Sequence, residues 1–123
     1  MKIYISLPIS GREKEAREQA NKIKQAIRNA GHDPISPFDV NIVKKKPNYF
    51  DHICADLRVM MDCDAICFSE HWITSCGCQI EFDVARILIN HRKKKFVVYY
   101  YYDHGKLDQL IDIRDAQTLD LPF

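Results

Sequence analysis

Short apolar runs alternate along this chain with longer stretches in which apolar residues recur every three or four positions. Lys2 to Ser6 (Lys-Ile-Tyr-Ile-Ser) is β-rich and predicts a first strand. Leu7 to Gly11 carries Pro8 and Gly11 as turn punctuation. Over residues 12–30, Ala16, Ala20, Ile23, Ile27 and Ala30 form one apolar stripe, the spacing of a helix. Gly31 follows where a helix needs a left-handed C′ residue. Pro34 to Pro37 predicts a short second strand or extended edge, and 38–47 a loop. A second helix is expected over 48–61, with Phe50, Ile53, Cys54, Leu57, Met60 and Met61 apolar. Asp64 to Ser69 reads as a third strand, 70–75 as a loop, and 76–91 as a third helix, apolar over most of its surface. Phe96 to Tyr102 is continuously apolar, as suits a strand covered on both faces. A short helix near 106–112 and a tail complete the expectation.

Strands alternating with helices imply a parallel sheet with helices on both sides. The expected fold is a flavodoxin- or Rossmann-like three-layer α/β sandwich with a mainly parallel sheet of four to five strands, in a single domain spanning 1–123. Ligands of such sheets bind beyond the carboxyl ends of the strands. Three loops fall there: 7–12, 37–47 and 69–77.

Composition narrows the function. A chain of 123 residues builds one core but no separate lid or cofactor domain, so a site completed by a neighbouring subunit, in a homodimer or larger homo-oligomer, is expected. The formal net charge of +1 gives no reason to expect a nucleic-acid partner. Lys44 to Lys46 and Arg92 to Lys95 read as solvated loop charge, or as attraction for an anionic substrate. No signal peptide and no membrane-length apolar run is visible, which predicts a cytoplasmic protein without membrane contact. Five cysteines, an odd number scattered over helices and strands, argue against a disulfide framework. A Cys76–Cys78 pair with His71 is too little for a zinc site, and buried thiols are the better reading.

Two carboxylates stand out. On the third helix Glu81 has Gly77, Cys78, Val84 and Ala85 as its neighbours three and four positions away. A carboxylate on that apolar face is costly to bury without a partner or a task, although a helix N-terminus also favours acid there. Asp56 lies beside the apolar stripe of the second helix, among Ile53, Val59 and Met60. Its pKa would rise there, fitting it to donate a proton, or it is an ordinary boundary residue. Tyr4, two residues from the end of the first strand, needs a partner for its hydroxyl if buried, and a carboxylate would serve. Ser75 and Gly77 open the third helix; Ser10, Gly11 and Arg12 open the first. Helix N-termini bind anions, and serine also simply caps them. Asp62 and Asp64 read as helix-end and turn residues, and the five histidines form no triad with a Ser or Cys.

These segments carry a resemblance. Ile3 to Gly11, the acidic stretch Asp56 to Ile66, and the run Trp72 to Ala85 with its S-x-G-x-x-x-E-x-x-x-A pattern are similar to the nucleoside 2-deoxyribosyltransferase-like superfamily. They occur in order over residues 2 to about 100, and most resemble a branch of small bacterial and phage proteins, DUF4406. Among members with known activity, the deoxynucleoside 5′-monophosphate N-glycosidases are the best match. The resemblance implies Glu81 as nucleophile, Asp56 on the base and leaving-group side, and Tyr4 orienting the glutamate. It implies Ser75 as a 5′-phosphate ligand, with Ser10 and Gly11 in the first phosphate-side loop. Leu7-Pro8 stands where the family often has Gly, and Asp103 to Asp108 offers no clear match to the serine that the hydrolases take from a neighbouring subunit.

The implied reaction is cleavage of the base–sugar bond of a nucleotide through a covalent glutamyl–sugar intermediate, without metal or organic cofactor. Deoxyribosyl transfer, hydrolysis of an N-glycoside such as NAD, nucleotide binding without turnover and, more remotely, an FMN carrier are the alternatives.

Overall fold

In the computed structural model the described residues are 1–91, 95–101 and the backbone of 107–109. Five strands and three helices follow in chain order: β1 (Lys2–Ser6), α1 (Glu13–Asn29), β2 (Asp33–Ile35), α2 (Tyr49–Met61), β3 (Ala65–Phe68), α3 (Cys76–His91), β4 (Val97–Tyr101) and β5 (Leu107–Gln109). The strand order is β2-β1-β3-β4-β5, with β2, β1, β3 and β4 parallel and β5 antiparallel to β4. This is the expected mainly parallel α/β sandwich.

The pleat of the strands sorts the core into two layers. Ile3 and Ile5 of β1, with Ala65 and Cys67 of β3, pack against Ala16, Ala20, Ile23 and Ile27 of α1. Tyr4, Ile66 and Phe68 point to the other face, against Met60 of α2 and Cys78 and Ala85 of α3. The β4 residues divide likewise, Val98 and Tyr100 to the second layer and Tyr101 to the first, so both faces of that strand are covered.

Helix ends fall where their chemistry dictates. Gly31 adopts φ +85°; its N–H donates to Arg28 O and that of His32 to Ile27 O, the paired bonds of a Schellman stop. Gly11, at φ +76°, is the third residue of a turn closed by Arg12 N–H to Ile9 O at 2.9 Å, a position only glycine takes easily. Asn48 caps α2, its side chain accepting from Asp51 N–H. Asp64 accepts the Lys2 N–H at 2.9 Å, the turn role expected of it.

Two elements depart from expectation. The second strand spans Asp33–Ile35, because Pro37 opens a 3-10 turn (Pro37–Asp39) that Ser36 and Asp39 tie together. The helix expected near 106–112 is replaced over Leu107–Gln109 by β5. The edge of β4 offers unpaired backbone groups, and pairing there with Tyr99 to Tyr101 satisfies them in a way that local periodicity does not reveal. The rest of that helix, the tail and Arg92 to Lys94 lie outside the described residues.

Candidate active site

The strand order reverses between β1 and β3, where Ser6 pairs with Phe68. A cleft of about 420 Å³ opens beyond these strand ends. All three expected loops contribute: Leu7, Ile9 and Ser10 from the first, Pro37, Phe38 and Val40 from the second, Ser75 and Gly77 from the third. α2 adds Tyr49, His52, Ile53 and Asp56, and α3 adds Cys78 and Glu81. The third loop is anchored by Trp72, whose ring lies 4.8 Å from those of Phe68 and Phe82.

Glu81 is 6% exposed, the most deeply buried charged residue among those described. The Ser6 hydroxyl, itself fully buried, donates to its Oε1 at 2.9 Å. Glu81 Oε2 and the Tyr4 hydroxyl are both buried without a partner in strict hydrogen-bond geometry. They are nevertheless close enough that each shifts the ionisation of the other. Burial pushes the Glu81 carboxyl up to about 8; Tyr4 and Ser6 pull it back, and the charge of Asp56 pushes it further up. Burial alone lifts Asp56 to about 7. Tyr4 is raised well above its ordinary value, by burial first and then by the charges of Glu81 and Asp56, so its phenol stays neutral. Cys78, beside them, is pushed up to about 11 by burial and by Glu81, which makes it an inert thiol.

Five of the eight residues singled out from the sequence therefore line one cleft: Glu81, Asp56, Ser75, Gly77 and Ser10. Tyr4 lies behind Glu81, fully buried. Arg12 and Gly11 do not line the cleft. Arg12 Nη1 donates to Pro8 O at 2.7 Å and to Gln19 Oε1 at 3.3 Å, so it braces the first loop. Ser75 Oγ accepts the Cys78 N–H at 3.3 Å and caps α3. A side chain at Gly77 would place its Cβ 3.3 Å from Ile53 Cδ1 and 3.9 Å from Tyr49 Oη, so glycine lets α2 and α3 converge at the cleft.

A domain profile described as a domain of unknown function, DUF4406, matches residues 1–93. The chain belongs to the DUF4406 family. No curated protein matches it. Among solved structures, this DUF4406 protein is similar to a 2-deoxyribosyltransferase of Bacillus psychrosaccharolyticus, at 18% identity and a TM-score of 0.57, over 98% of this chain and 93% of that one. It is also similar to a 2-deoxyribosyltransferase of Leishmania mexicana, at 15% identity and a TM-score of 0.56, over 88% and 78%. At these identities the likeness establishes a shared fold.

The sequence reading of the DUF4406 chain missed Ser6, buried behind the cleft, and the lining residues Arg17 and Phe38. Ser6 looks like the end of a strand, yet it is two positions from Tyr4 and so on the same face, a signal that was there to use. Arg17 places its guanidinium 4.4 Å from the Phe38 ring centroid, a contact no local pattern announces. Cys76 is exposed while Cys78 is buried, as two positions apart on a helix requires, and no metal-binding cluster occurs among the described residues. None of the five cysteines is in a disulfide. Among the described residues no helix is long and apolar enough to cross a membrane.

Proposed function

We propose that this protein is an N-glycosidase that cleaves the base–sugar bond of a (deoxy)nucleoside 5′-monophosphate through a glutamyl–sugar intermediate. The observation that carries the reading is Glu81, a buried carboxylate lining the strand-end cleft, held by Ser6 beside Tyr4 and sharing the cleft with Asp56. Glu81 forms a bond to the anomeric carbon as the carbon–nitrogen bond breaks. The base leaves with the bonding pair and takes a proton from Asp56. Water then attacks the same carbon, gives its proton to the Asp56 carboxylate, and releases Glu81 and the sugar phosphate. Ser10, Ser75 and the N-terminus of α3 supply donors for the 5′-phosphate, and Arg17 supplies the nearby positive charge. Phe38 and Tyr49 offer aromatic faces to the base. No step calls for a metal or organic cofactor, nucleic acid or membrane. The reading includes action in the cytoplasm as a homodimer or larger homo-oligomer; the exposed Phe50, Ile73, Ile80 and Ile87 support association.

The test is release of free base from deoxynucleoside 5′-monophosphates, lost in Glu81→Gln. Full activity in that variant removes Glu81 as nucleophile. The fold shared with two 2-deoxyribosyltransferases supports a second reading, transfer of deoxyribose between bases. A new nucleoside formed when a second base is added identifies that case. Nicotinamide release identifies an NAD-type glycohydrolase, and binding without product identifies a nucleotide-binding module.

A further inference from the structure

We infer that Ser6 is a positioning residue for Glu81, whose hydroxyl tethers the carboxylate through Oε1 and holds the side chain at the cleft. The inference rests on the reading of Glu81 as nucleophile and adds what fixes its side chain.

The two oxygens of Glu81 are unlike. Oε1 accepts from Ser6 at 2.9 Å; Oε2 is enclosed, and the Tyr4 hydroxyl acts on the same carboxyl. The bond joins the last residue of β1 to the second turn of α3, so it fixes a flexible side chain between two rigid elements. A glutamate otherwise loses rotamer freedom at the moment it must react. In the ester the Glu81 carboxyl still offers Ser6 an acceptor oxygen. When water displaces the carboxylate, the same donor faces the returning negative charge. The Ser6 proton stays on Ser6 throughout.

The ionisable groups around Glu81 come from three elements: Tyr4 from β1, Asp56 and the nearby His52 from α2, and Cys78 from α3. Tyr4 and Cys78 are held neutral, which leaves the Ser6 and Tyr4 donors to favour ionised Glu81 against burial and Asp56.

Two measurements on Ser6→Ala test this. In an isotope-edited NMR titration of the Glu81 carboxyl, which needs no substrate, the midpoint should move up by about one pH unit or more, the effect of losing a hydrogen bond to a charged group. In base release from deoxynucleoside 5′-monophosphates, kcat should fall about tenfold with KM little changed, since the lost contact acts on the reacting group. Ser6→Thr keeps the hydroxyl on a β-branched residue suited to a strand and should retain the wild-type midpoint. A wild-type midpoint and kcat in Ser6→Ala overturn the inference. If Ser6→Ala does not fold, Ser6→Cys, of similar shape but with a weaker donor, decides: a raised midpoint supports the tether and a wild-type one overturns it. Loss of activity in Glu81→Gln with an unmoved midpoint in Ser6→Ala defeats the tether alone, whereas full activity in Glu81→Gln defeats the nucleophile reading beneath it.

Discussion

The carboxylate of Asp56 on α2 raises the pKa of Glu81 on α3 across the cleft that both line. The proposed mechanism needs Glu81 ionised and Asp56 protonated together, yet their values, about 8 and about 7, favour the opposite arrangement near neutrality. The competent form is thus a minority, and the two apparent values belong to the pair. The rate should follow a narrow bell with its maximum between these values, measured as kcat/KM against pH. A broad plateau reaching well into acid would contradict the pairing.

Asp56→Asn separates the two limbs. Without Asp56 as the proposed proton donor, base release should lose roughly 10²- to 10⁴-fold in kcat, the range of a lost general acid. The alkaline limb should vanish, because it reports loss of the Asp56 proton. The remaining limb should report ionisation of Glu81 alone: below about 8, because a negative neighbour is gone, yet not below the wild-type acid limb, which the pair shares. A surviving bell would assign the acid elsewhere.

Glu81 costs the fold stability. The unfolded chain ionises it near the ordinary 4.5, while the folded chain holds its proton to about 8. Between those values the native state binds more protons, so rising pH removes stability, and the loss levels off above about 8. Glu81→Gln keeps the shape without the charge. It should be more stable than wild type on the alkaline side, on the order of a few kcal/mol, and equal to it in acid. Denaturant unfolding across pH measures this, and equal stability at both ends would show that burial of Glu81 carries no such penalty.

Gly77→Ala tests the close approach of α2 and α3. The added methyl would come within 3.3 Å of Ile53 Cδ1. A better helix former offsets the crowding, so stability should change by less than about 1 kcal/mol. The cleft wall between Ile53 and Tyr49 narrows, however, and KM should rise several-fold with kcat little affected. An unchanged KM would mean that ligand does not approach this end of α3.

The sandwich was legible because each layer leaves a local period. The α1 stripe, the continuous apolar character of β4 and the stop at Gly31 all follow from residues near one another in sequence. Glu81 and Asp56 were visible as charges among apolar neighbours. β5 was not, since three residues carry too little pattern and their partner is the edge of β4. The Arg17–Phe38 contact escaped because Phe38 lies in a 3-10 turn held by Asp39, which Lys24 approaches within 2.6 Å. Arg12 looked like an anion ligand by position, but carbonyl and amide groups within its own loop and helix engage it.

Tyr4 and Ser6 stand two positions apart on β1, with Ile3 and Ile5 between and before them on the opposite face. A one-residue slip of this strand against β3 would turn the isoleucines toward Glu81 and the hydroxyls toward α1. The register of β1 therefore matters to the site as much as the identity of its residues. Deleting Ile5, the residue between Tyr4 and Ser6, would send the two to opposite faces while removing no residue of the cleft wall.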